Sequence, residues 1–107
     1  MNKWILLLGL ITTLLSSTTQ AEDYKSYGLH SVSCGSWTQE RKEKINTPSE
    51  AWILGFISGA GWAGRNMAYT DIDAVFGWID HYCKENPLDN LIDAAEGIIA
   101  TLEAKYQ

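Results

Sequence analysis

From residue 72 onward, apolar and polar positions alternate with a helical period. Ile72, Val75, Phe76, Ile79 and Cys83 recur at +3, +4, +7 and +11, a spacing that puts their side chains on one stripe of an α-helix. Trp78 and Tyr82 flank that stripe, while Asp73, Asp80 and Lys84 fall opposite it. Thr70 stands as the N-cap, with Asp71 and Asp73 in the first turn, where the positive end of the helix dipole favours carboxylates. Pro87 stops this helix near Glu85–Asn86, and Asn86–Pro87 reads as cap and first residue of the next. Leu88, Leu91, Ile92, Ala95, Ile98, Ile99, Leu102 and Tyr106 carry the last apolar face, opposite Asp89, Asp93, Glu96 and Glu103.

Upstream the pattern changes character. Thr47-Pro48-Ser49-Glu50 supplies an N-cap, a proline suited to the first helical position and a carboxylate at the third. Fourteen residues without a charge follow, Ala51 to Gly64. A helix apolar all round is a buried one, so this segment is expected to be the central helix. Gly55, Gly59 and Ala63 fall at steps of four, and Gly55 and Gly59 are expected to let a neighbouring helix pack closely. Gly59 to Gly64 also spells G-x-G-x-x-G, but a dinucleotide fingerprint needs a preceding strand and a parallel sheet. A helix cap precedes it instead. Gly61 and Gly64 end the helix and leave Arg65 to Tyr69 as a connection. A shorter helix, Trp37 to about Lys44, is opened by Ser36 with Gln39 three residues on, and Glu40 to Lys44 reads as its solvated, ion-paired face. The expected fold is all-α, a small four-helix bundle-like domain.

The first residues do not belong to that domain. Lys3, the twelve-residue run Trp4–Leu15 and the small residues ending at Ala21 have the three-part layout of a secretory signal peptide. A spanning helix needs about 20 apolar residues, so no membrane insertion is expected after cleavage. The organisation is then a signal peptide over 1–21, an irregular lead-in over 22–33 and one helical domain over 34–107, in a periplasmic or secreted protein.

The whole chain of 107 residues carries a formal charge of −5. Cleavage removes only Lys3, leaving seven bases against thirteen acids, or −6. From Asp71 onward eight acids face only Lys84 and Lys105. Nucleic acid is excluded as a partner, because binding phosphates requires a basic surplus. Two cysteines in an exported chain point to one disulfide, Cys34–Cys83. Closing a loop of that length is worth about 4 kcal/mol on the chain-entropy model, a large share of what a domain this small can hold.

Catalytic chemistry is not legible. No G-x-S-x-G elbow surrounds any serine, and there is no C-x-x-C redox pair. Two cysteines with the distant His30 and His81 make no zinc spacing. Asp80 and His81 are adjacent on a helix and point in different directions. No enzyme, metal or cofactor is expected.

Three segments carry a resemblance: Ser33-Cys34-Gly35-Ser36-Trp37 with Glu40-Arg41, Trp52 with Gly55-Phe56-Ile57-Ser58-Gly59, and Trp78-Ile79-Asp80-His81-Tyr82-Cys83-Lys84-Glu85-Asn86-Pro87-Leu88. Together they resemble the Rap/Tai-type immunity proteins, small exported bacterial proteins that protect against peptidoglycan amidases delivered by type VI secretion. The resemblance implies a helical periplasmic protein with an internal disulfide, commonly a homodimer, that plugs a toxin's active-site cleft. Its motifs are structural and transfer no inhibitory residue. On this reading the partner-binding surface is the connection and the acidic start of the following helix, with Arg65, Asn66, Tyr69, Asp71 and Asp73. Tyrosine and arginine are favoured interface anchors, and the acids would steer a basic toxin. Two alternatives stand beside it: a periplasmic acid-stress chaperone of the HdeA type, and a structural or interaction module of unknown ligand.

Overall fold

Leu91, Ala94, Ala95, Ile98, Ile99 and Leu102 are all buried, and the helix that carries them touches every other described helix. The computed structural model describes residues 25–43 and 47–107. The signal peptide expected over 1–21 lies outside the described residues, as does the end of the first helix at Lys44. A 3-10 turn at Leu29–Ser31 precedes four helices: α1 Cys34–Glu43, α2 Pro48–Trp62, α3 Ile72–Glu85 and α4 Leu91–Ala104. No strand occurs among the described residues, only an isolated antiparallel bridge between Ser33 and Asn90. Two hydrogen bonds make that seam, Leu91 N–H to Val32 O at 2.7 Å and Cys34 N–H to Asp89 O at 2.8 Å. The Cys34–Cys83 disulfide joins α1 to α3 beside it, with a Cα–Cα distance of 4.8 Å and both cysteines buried.

The centre of the bundle is therefore α4, not α2 as the uncharged run suggested. Within α2 only Ile53 and the polar Ser49 and Glu50 are buried. Gly55 and Gly59 do not act as helix-packing positions: a Cβ built at either meets nothing within 4 Å. The physical reason lies in side-chain area. Gly, Ala and Ser carry little apolar surface, so leaving Ala51, Gly55, Ser58 and Gly59 exposed forfeits little at about 25 cal/mol per Å². Leu91, Ile98, Ile99 and Leu102 of α4 forfeit far more, and they take the interior.

Three helix starts also shift by one or more residues. Ser33, not Ser36, caps α1, its Oγ accepting from Ser36 N–H at 3.0 Å. Asp71, not Thr70, caps α3, accepting from Ala74 N–H at 2.7 Å. Asn86 closes α3, its N–H donating to Tyr82 O at 2.9 Å. The next helix starts at Asn90, whose N–H donates to Asp93 Oδ2 at 2.9 Å. In each case several cap-competent residues stand in series, and tertiary hydrogen bonds decide among them. The Thr47 cap is where the sequence places it, its hydroxyl accepting from Glu50 N–H at 3.2 Å.

The lead-in is held at a second point beyond Cys34. The Trp52 indole N–H donates to Tyr27 O at 2.9 Å, and Gly28 follows with φ 94°. A Cβ there would stand 3.2 Å from Trp52 Cδ1, so both conformation and space call for glycine.

Candidate functional site

Three elements meet at the end of the bundle opposite the disulfide seam: the C-terminus of α2, the start of α3 and the last turn of α4. The connection over 63–71 is tightly built. Gly64, at φ 98°, ends α2 in a Schellman turn, with Gly64 N–H to Gly61 O and Arg65 N–H to Ala60 O both at 3.1 Å. Ala68 N–H then donates to Leu102 O at 2.9 Å, fastening the middle of the connection to α4.

Of the five residues expected to form a partner surface, Arg65 is spent inside the molecule. Its Nε donates to Glu103 Oε2 at 3.2 Å, its Nη2 pairs with Glu103 Oε1, and its Nη1 lies 3.5 Å from Glu96. This pairing raises the arginine pKa and lowers that of Glu103. Asp71 is spent as the α3 cap. Asn66, Tyr69 and Asp73 face outward, and Tyr69 is 95% exposed. Trp62, at the end of α2, is 93% exposed.

Behind Tyr69 runs an apolar groove of about 430 Å³, walled by Leu54, Ile57, Met67, Ile72 and Val75, with Leu102 also in its lining. The sequence pattern does not reveal it, because Met67 falls in a connection and Ile72 on the apolar stripe of α3. In the structure Met67 is half-buried and Ile72 is 55% exposed.

A second missed feature is polar. Arg41 does not belong to a solvated face; it turns inward between α1, α2 and α3. Its Nε and Nη2 each donate to Asp80 at 3.0 Å, its Nη1 lies 3.6 Å from Glu50, and its guanidinium stands 5.2 Å from the Phe76 ring centre. The Trp37 indole N–H donates to Asp80 as well, at 2.8 Å. The pairing with Asp80 raises the Arg41 pKa. Among the described residues no three His, Cys, Asp or Glu side chains come together as a metal-holding group. No described helix is long and apolar enough to cross a membrane.

Compared with known protein families, with curated proteins and with solved structures, the chain matches none.

Proposed function

We propose that this chain is an exported, non-catalytic protein-binding domain of the immunity type, and that it occludes a type VI-secreted peptidoglycan amidase with the end of the bundle around Tyr69. The observation that carries this reading is Tyr69 itself. It is an almost fully exposed aromatic on a connection fastened to α4 through Ala68 and Arg65, at the rim of an apolar groove. An aromatic anchor held in place before binding loses little entropy on association, and such anchors contribute disproportionately to interfaces. The resemblance to immunity proteins supplies the class of partner, and the exported setting supplies the compartment.

The test is inhibition of purified type VI peptidoglycan amidases by the mature protein. Tyr69→Ala is expected to weaken inhibition by about thirtyfold, corresponding to about 2 kcal/mol for a hot-spot residue, with an unchanged melting temperature. Arg65→Ala is the poorer probe, because it also unfastens Glu96 and Glu103. Absence of inhibition across such amidases overturns the proposal. Suppression of client aggregation at strongly acidic pH would instead favour the chaperone alternative.

A further inference from the structure

One face of α2 carries Glu50, Ala51, Leu54, Ile57, Ser58 and Gly61, at helical steps of three and four from the cap Thr47. Two depressions lie in succession along it. The groove behind Tyr69 takes the C-terminal part, from Leu54 to Gly61. A smaller depression of about 220 Å³ takes the N-terminal part, between Thr47, Glu50, Ala51 and Leu54 on α2 and Ile72 and Phe76 on α3. Leu54 and Ile72 line both, so the two form one seam between α2 and α3. At 1.5 Å per residue, the fourteen steps from Thr47 to Gly61 span about 21 Å, the length of about six extended residues.

The N-terminal end of this seam carries a carboxylate that is under-supplied with donors among the described residues. The Glu50 side chain is only 9% exposed, and its Oε1 is buried with no hydrogen-bond donor among the described residues. Its ion-pair partner there is Arg41 at 3.6 Å, beyond hydrogen-bond range. Arg41 gives its shorter hydrogen bonds to Asp80. Arg41 thus faces both carboxylates. Lys42 and Lys84 line a depression on the Asp80 side of the cluster, whereas the Glu50 side is lined by Ala51, Leu54, Ile72 and Phe76. The α2 N-terminus offsets about half an elementary charge and brings no side-chain donor to the Glu50 carboxylate. Asp73, exposed in the first turn of α3, has the same sign. A buried carboxylate is costly until a cation with donors reaches it.

We propose that the α2–α3 seam receives an extended apolar segment of the partner protein, and that a lysine or arginine from that segment enters the small depression against Glu50. The aliphatic stem of the basic residue lies between Leu54, Ile72 and Phe76, and its charged head completes the Arg41–Asp80–Glu50 cluster. This rests on the reading of the Tyr69 end as a partner surface and extends it along α2.

The probes are a heptapeptide of alanine and leucine with a central lysine and its twin with a central norleucine, titrated into the mature protein and followed by amide chemical shifts. The lysine peptide is expected to bind about tenfold more tightly, in keeping with a desolvated charge pair, and to shift resonances of Glu50, Leu54 and Ile72. Glu50→Gln is expected to erase that preference, and Ala51→Phe, which fills the depression from an exposed position, to weaken both peptides. Equal binding of the two peptides, or shifts confined to other faces, overturns the proposal. Lys44→Gln is measured in parallel, with unchanged preference expected. A preference that emerges only in this variant shows the depression to be filled from within the chain and also overturns the proposal. Amidase inhibition that depends on Tyr69 but not on Glu50 would leave the proposed function standing and sink this inference. Lysine selectivity without amidase inhibition would do the reverse.

Discussion

The indole N–H of Trp37 donates to Asp80 Oδ1 at 2.8 Å across the contact between α1 and α3. Trp37 is fully buried, so this bond satisfies a donor that water cannot reach. Asp80→Ala would orphan that N–H and strip Arg41 of its hydrogen-bonded partner. The expected loss is about 1–3 kcal/mol, the usual cost of an unsatisfied buried donor. Asp80→Asn keeps one acceptor and is expected to lose less. Urea denaturation of the two variants checks both size and order; equal stability of Asp80→Ala and the parent would refute the assignment.

Trp78 of α3 lies against Gly97 of α4. A Cβ there would stand 2.7 Å from Trp78 Cη2, inside contact distance, and Trp78 is stacked on Tyr82 with ring centres 5.5 Å apart. Gly97→Ala would raise helix propensity yet force the ring away. Overpacking of this kind costs about 1–3 kcal/mol, or about 4–8 °C of melting temperature per kcal/mol in a domain of this size. Trp78→Phe, which shortens the ring, is expected to make Gly97→Ala less harmful. Additive melting shifts in the double variant would contradict this account.

These packing details mark where sequence reasoning stopped. Four helices and the Thr47–Pro48 start were legible because they are local: a cap, a proline and an apolar period lie within one segment. The disulfide was legible because two cysteines leave one pairing. The rank of the helices was not, since hydropathy counts glycine and alanine as apolar without weighing how little area they bury. Ile53 and Trp62 both belong to α2, yet one is fully buried and the other is 93% exposed. In the candidate site, the connection after Gly64 was legible from its glycines. The return of Arg65 to Glu103 was not, because a pair 38 residues apart leaves no local pattern. The same holds for Arg41 and Asp80, separated by 39.

The disulfide is expected to supply much of the stability of so short a chain. It links positions 49 apart and restricts the unfolded ensemble accordingly. Replacing both cysteines by alanine should cost about 2–5 kcal/mol. Because Cys34 and Cys83 are buried, a thiol reductant should reach the bond only through opening of the native state. The rate of reduction is therefore expected to follow the unfolding rate as urea is added. Rapid reduction in buffer, independent of urea, would show the bond to be accessible in the folded protein.

Tyr82 gives the molecule an alkaline limit. Its hydroxyl donates to the Asp89 carboxylate, and this bond, with partial burial and the negative charge of Asp89 and Asp93, pushes its pKa from 10.0 up to about 12. Ionisation removes the donated proton and sets a phenolate against a carboxylate, so the folded chain resists it more than the unfolded chain does. The stabilisation is therefore fully present below pH 10, and it is lost as the pH rises through the folded value near 12. Tyr82→Phe cannot ionise and lacks the bond at every pH. It is expected to be less stable than the parent at neutral pH, with the gap closing across the alkaline range. Thermal melts of the two proteins at stepped pH, with tyrosinate absorbance followed alongside, measure this directly. A gap that stays constant up to pH 12 would separate Tyr82 from the alkaline transition and leave the Asp89 bond without the role assigned to it.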